Sequence, residues 1–185
     1  MTYRAPVFTS EWLQERYRFD AEARNPSVEQ AFFDHIAPKE MVDLVDVGAG
    51  TGANCLYYFP KITQQHQNWY LVEKDAELCQ ASKQIIQTFA EKNGYGLETE
   101  ASEQKGAEEC EEELHINHPE TGQKIYIQFI NGSLLELDEL LNLNNVDVVM
   151  ANAVFDLFTP QQFDAFGQIL QVHQVPFLTT INYTS

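Results

Sequence analysis

The heptapeptide Asp46–Gly52, DVGAGTG, has glycine at every second position from Gly48, and it closes a short β-branched run, Met41–Gly48. Such a run with few charges reads as a buried parallel strand, and the pattern over Thr51–Phe59 turns helical directly after it. The chain must therefore turn sharply from strand into helix at this point. Glycine serves that turn physically: without a Cβ the backbone bends tightly and lets a ligand approach. The following helix offers unpaired N–H groups and the positive end of its dipole. The plainer alternative, glycines that merely end a strand, would suit a lone G-x-G better than three alternating glycines between strand and helix.

The flanking sequence repeats the same rhythm. Ser10 to Asn25 reads as an amphipathic helix with Ser10 as its N-cap and Trp12, Leu13, Tyr17 and Ala21 on one face. A second helix is expected from Pro26, capped by Asn25, with Val28, Phe32, Phe33 and Ile36 inward until Pro38 stops it. A second buried strand, Trp69–Asp75, leads into a helix over Ala76–Lys92 that Asn93-Gly94 closes. Lys124–Ile130 is a third strand and Leu134–Leu143 a short helix. Val146–Ala151 is a fourth strand, Thr159 caps a helix from Pro160 to about Val172, and Pro176–Tyr183 is a fifth strand. This alternation predicts an α/β fold with right-handed crossovers and a mostly parallel sheet of order 3-2-1-4-5. Gly94–Gln123 interrupts it with nine acids and one lysine, and is expected to be a solvated loop insertion.

Charge narrows the partners. Eleven Lys plus Arg against twenty-eight Asp plus Glu give a formal charge of -17, which repels phosphate backbones and anionic membranes. Neither nucleic acid nor membrane is expected as a partner, and no run approaches the roughly 18 apolar residues of a membrane span. Cys55, Cys79 and Cys110 are odd in number and widely spaced, as suits reduced thiols in a cytoplasm. His115 and His118 lie near Cys110 without a fourth well-spaced ligand, so no metal site is expected.

Glu73 closes the second strand twenty-one residues beyond Gly52. A carboxylate there in a doubly wound sheet faces the ligand crevice and can accept hydrogen bonds from both hydroxyls of a ribose. Gly48, Gly50 and Ala53 also fit G-x-G-x-x-A, which keeps an NAD-dependent oxidoreductase as the alternative.

Asp46, Gly48, Gly50 and Gly52 resemble, position by position, the first motif of the class I S-adenosylmethionine-dependent methyltransferases. The resemblance is greatest to a group of bacterial members with a WL…AR helix, here Trp12-Leu13 to Ala23-Arg24, and a segment like NAVFDLFT after strand four. It implies a Rossmann-like three-layer α/β/α sandwich with a helical lid over 1–40 and a cofactor domain over 41–185, lacking the usual final strands six and seven. It implies S-adenosyl-L-methionine as cofactor, with Asp46 holding the methionine ammonium through water or the glycine backbone, and Gly48, Ala49, Gly50 and Gly52 lying against the ligand. Glu73 would take the ribose, with Lys74 and Asp75 beside the adenine. Where the family often has an adenine-reading acid this chain has Gly132-Ser133-Leu134, so Ser133 and Leu134 are the candidates. Asn152 and Ala153 would form the floor beneath the sulfonium, and Arg24 or Arg16 would pair with the cofactor carboxylate.

Methyl transfer from a sulfonium is an in-line displacement that depends mostly on positioning. Asp156 is the candidate general base and Tyr183 a candidate substrate contact, although a turn acid and an edge aromatic explain them equally. The acceptor is expected to be a small molecule. A sheet ending at strand five would expose an edge suited to a homodimer, and a non-catalytic cofactor-binding or interaction module is the remaining alternative.

Overall fold

The structure, a computed structural model, describes residues 9–98 and 112–180. Two helices lead. The first, α1 (Ser10–Glu22), is capped by Thr9, whose extended backbone lets its hydroxyl accept the Trp12 N–H; Ser10, the expected cap, is already helical. It stops short of Asn25 because that side chain caps α2 (Pro26–Ile36), accepting the Ser27 and Val28 N–H groups. The expected inward faces need correction. Trp12 and Val28 are exposed, while Phe32 and Ile36 enter the core.

β1 (Met41–Val47) follows, then α3 (Ala53–Tyr58), β2 (His66–Glu73), α4 (Ala76–Lys92), and the short strands β3 (Gly96–Glu98) and β4 (Glu112–Asn117). β5 (Lys124–Asn131), α5 (Leu137–Leu140), β6 (Val148–Asn152), α6 (Pro160–His173) and β7 (Phe177–Thr180) complete the order. The expected mostly parallel sheet of five strands is corrected, among the described residues, to a mixed sheet of seven, β3-β4-β5-β2-β1-β6-β7. Within it β5-β2-β1-β6-β7 are parallel neighbours, and β3 and β4 add antiparallel at the β5 side.

Both added strands come from the segment expected to be a solvated loop. β4 is buried at alternate positions, with Leu114 opposite Ile127 and Ile116 opposite Ile125. Period-two burial is a strand signature even where the alternate positions are polar, here Glu113, His115 and Asn117. His115 therefore lies in a strand, its ring edge-on to Tyr126, and not in an irregular loop. Among the described residues no cluster of three or more His, Cys, Asp or Glu is placed to hold a metal. Cys110 and the centre of the acidic segment lie outside the described residues.

The helix expected over Leu134–Leu143 is broken into a 3-10 turn, Leu134–Glu136, the single turn α5, and a second 3-10 turn, Leu143–Asn145. Leucines on too many sides leave no single face, and the chain bends so that Leu137 and Leu143 are both buried. Thr159 and Gln162 form a reciprocal capping box at the start of α6, beside Pro160 in the first turn.

Two cores flank the sheet. One joins Val42 and Leu44 of β1, and Trp69 and Leu71 of β2, to α2, α3 and α4; the other joins Val45 and Val47 to α5 and α6. Strand alternation therefore puts Asp46 and Glu73 on the α3 face of the sheet, both at the carboxyl ends of neighbouring strands. No helix among the described residues is long and apolar enough to cross a membrane.

Candidate functional site

Between β1 and α3 the backbone enters the left-handed region three times, at Gly48 (φ 60), Gly50 (φ 55) and Gly52 (φ 78). Side chains rarely adopt this region, so the turn requires these glycines on conformational grounds alone. The helix after the turn is shorter than expected, six residues from Ala53, with Gly52 at its cap position. The turn is tied to β2 by Ala49 N–H donating to the Val72 carbonyl at 3.2 Å and by Gly50 N–H donating to Glu73 Oε2 at 2.9 Å. Glu73 Oε1 accepts the Asp75 N–H at 3.0 Å. Its carboxylate, 7% exposed, is thus aimed at the glycine turn.

Protein side chains also lie close against this turn. A Cβ on Gly48 would stand 2.6 Å from Val154 Cγ2, one on Gly50 3.3 Å from Leu13 Cδ1, and one on Gly52 2.8 Å from Ile86 Cδ1. The missing Cβ atoms therefore serve internal packing, and α1 covers the middle of the turn through Leu13. Two open clefts, of about 440 and 410 Å³, lie elsewhere, among residues such as Ala37, Lys39, Gln64 and His66 at the start of β1 and β2. They are at the opposite end of these strands from the glycine turn, away from the carboxyl ends where open α/β sheets bind ligands.

Beneath the turn is a buried polar array. Arg24, in the link between α1 and α2, donates from Nη2 to Asn54 Oδ1 at 2.7 Å, and Asn54 Nδ2 donates to Asp46 Oδ1 at 2.8 Å. The guanidinium stacks on Tyr57 and Tyr58, 4.2 and 4.8 Å from the ring centroids. Two atoms of this array, Asp46 Oδ2 and Arg24 Nε, are buried without a hydrogen-bond partner among the described residues. Burial pushes the Asp46 carboxyl up to about 7; the Asn54 hydrogen bond and the Arg24 charge pull against that, and the Glu73 charge adds to it. A buried carboxylate oxygen and a buried guanidinium nitrogen left unpaired are each costly.

The expected site residues separate into two groups. Asp46, Gly48, Ala49, Gly50, Gly52, Glu73 and Arg24 come together at the turn. Val154, beside Ala153 at the end of β6, reaches the same turn. Ala153 has φ 51, a left-handed conformation unusual for a residue with a Cβ, and its N–H donates to the Thr180 carbonyl; the Asn152 side chain accepts from the Thr180 hydroxyl.

The others lie apart or in other bonds. Arg16 is paired to Asp20 along α1 at 3.1 Å and stacks on Trp12. Lys74 is exposed. Asp75 caps α4, and the Ser133 hydroxyl accepts the Leu135 N–H, with Leu134 opening the 3-10 turn. Asp156 has its backbone in the 3-10 turn Phe155–Leu157, its side chain outside the described part of the structure; Tyr183 lies outside the described residues.

Sequence reasoning missed Asn54 and Leu13 as parts of this site. Asn54 carried a signal: it is a polar residue eight positions after Asp46, in the otherwise apolar stretch ANCLYY, where burial demands a partner.

No family model and no curated protein matches the sequence. The structure is similar to that of a candidate S-adenosyl-L-methionine-dependent methyltransferase from Methanococcus maripaludis, at 10% identity and a TM-score of 0.46, over 98% of this chain and 67% of that one. It is also similar to the large terminase ATPase domain of Thermus phage P74-26, at 10% identity and a TM-score of 0.35, over 96% of this chain and 71% of that one. What is established is a mixed α/β sheet flanked by helices, consistent with a Rossmann-like fold.

Proposed function

We propose that this chain binds S-adenosyl-L-methionine at the glycine turn and transfers its methyl group to a small-molecule acceptor. The observation that carries the reading is the pair of unpartnered buried atoms, Asp46 Oδ2 and Arg24 Nε, set on either side of Asn54. An α-amino acid carries an ammonium and a carboxylate one carbon apart. The methionine end of the cofactor would place its ammonium at Asp46 and its carboxylate at Arg24, relieving both atoms at once. Each Glu73 oxygen accepts one backbone N–H and retains a lone pair for a ribose hydroxyl. A sulfonium cofactor supplies its own leaving group, so these residues bind and orient, and Asp156 is the proposed acceptor of a proton from the nucleophile.

The same Asp46–Arg24 pair disfavours the nicotinamide alternative, since NAD has no amino-acid end to occupy it. A second reading is favoured by one observation: Leu13, Val154 and Ile86 crowd the turn, as they would in a non-catalytic domain that binds nothing there.

Titration calorimetry with S-adenosylhomocysteine and NADH separates the readings. Binding of S-adenosylhomocysteine that weakens at least about tenfold in Asp46→Asn, the loss of one charge-assisted hydrogen bond, supports the cofactor site. Binding of NADH alone would return the oxidoreductase. Silence with both ligands leaves the non-catalytic domain.

A further inference from the structure

α1 is weakly anchored. Of its thirteen residues only Asp20 is buried, whereas α2 sends Phe32 and Ile36 fully into the core. α1 meets the domain through Leu13 over Gly50, through Tyr17, partly buried against the core, and through Arg24 immediately beyond its C-terminal end. An element with so little apolar burial opens at low free energy unless something fastens it.

The fastening runs through Arg24, which the Asn54 amide holds by a hydrogen bond and the Tyr57 and Tyr58 rings hold by stacking. Arg24 can only donate, so it fixes Asn54 with Oδ1 toward the guanidinium and Nδ2 toward Asp46. A carboxylate at position 54 would repel Asp46, and an ammonium would repel Arg24. An amide serves the cation and the anion together, and at 4% exposure it does so away from competing water.

We propose that Asn54 is a positioning residue with two linked effects: through Arg24 it holds α1 over the glycine turn, and through Asp46 Oδ1 it leaves Asp46 Oδ2 as the oxygen presented to a ligand. Opening of the leading helix and the aim of the Asp46 carboxylate are then coupled through a single side chain. A ligand reaches the turn only when Leu13 withdraws, and withdrawal strains the Arg24–Asn54 bond that aims the acid. A cation at Asp46 Oδ2 favours the charged carboxylate, strengthens its bond with Asn54, and so returns the helix to the turn. The inference rests on the proposed cofactor reading only for the identity of that ligand.

Backbone hydrogen exchange on the whole chain, without ligand, tests the fastening in Asn54→Leu and in Arg24→Met. The second variant keeps the Asn54–Asp46 bond and guards against failure of the first to fold. Loss of a charge-assisted bond predicts α1 amides exchanging roughly tenfold faster or more, with β1 and β2 amides unchanged. Unchanged α1 exchange in Arg24→Met overturns the proposal, as does equal loosening of β1 and β2.

The aiming role has its own readout. The Asp46 carboxyl, faced by Arg24, Glu73 and Cys55 as well as Asn54, titrates at higher pH in Asn54→Leu than in the wild type; an unmoved midpoint overturns that role. Failure of S-adenosylhomocysteine to bind, with α1 loosened as expected, removes the cofactor and leaves the fastening. Binding with α1 exchange indifferent to both substitutions removes the fastening and leaves the cofactor.

Discussion

Glu73 accepts the Gly50 N–H at 2.9 Å, so the last side chain of β2 is bonded to the middle of the turn that leaves β1. The bond fixes the turn from the neighbouring strand. The other Glu73 oxygen holds the Asp75 N–H, one residue before α4 begins. Glu73→Ala leaves both donors without their acceptor and is expected to destabilise the fold by about 2–4 kcal/mol, with Glu73→Gln costing about half as much. Urea unfolding followed by circular dichroism measures both, and equal midpoints for wild type and Glu73→Ala would show that water replaces the carboxylate freely.

At Gly48 two separate costs meet. An alanine there would keep φ near 60 and stand 2.6 Å from Val154 Cγ2. The left-handed backbone costs about 1–2 kcal/mol and the overlap about 1–3 more. Adding Val154→Ala should recover the steric share and leave the backbone share. A double-mutant cycle by chemical denaturation reads that coupling directly.

Asp46 makes stability depend on pH in an unusual direction for an acid. Its folded carboxyl lies at about 7, above its ordinary value of 3.8, so the folded state holds the proton more tightly than the unfolded chain. The contribution is fully present below the ordinary value and is lost as pH rises through about 7. The wild type should therefore lose about 2–3 kcal/mol relative to Asp46→Asn between pH 5 and pH 8. Urea midpoints for the two proteins across that interval give the difference, and parallel curves would mean that Asp46 is solvated.

Gln67 connects three backbone and side-chain groups in the core. Its amide donates to the Phe59 and Ile62 carbonyls, and its oxygen accepts the Trp69 indole N–H at 3.0 Å. Gln67→Leu keeps the volume but strands the Phe59 carbonyl and the Trp69 indole, while the Ile62 carbonyl keeps the Gln123 amide, at an expected cost of about 2 kcal/mol. Trp69→Phe in that background removes the stranded indole donor, so it should cost less than Trp69→Phe alone in the wild type. Thermal melts of the four proteins test this.

Much of the frame was legible because its signals are local. The β-branched run before Gly48, the apolar core of WYLV, Asn25 before Pro26 and Thr159 before Pro160 each act over a few residues, where steric preference and capping decide the outcome. The short strand β4 was hidden for a matching reason. Two inward residues, Leu114 and Ile116, stand in a run dominated by acids, and only pairing with Ile127 and Ile125 makes them a strand.

The sequence by itself determined which residues stand at the carboxyl ends of the central strands, and that the turn between β1 and α3 carries glycine at alternate positions. Only the tertiary structure decided what faces that turn. Leu13, Asn54, Ile86 and Val154 come to it from four separate segments, and Arg24 crosses thirty residues of chain to reach Asn54. Burial then makes these contacts decisive: an arginine that water would solvate on an isolated segment becomes, once desolvated, dependent on one amide and two tyrosine rings beside an equally desolvated acid.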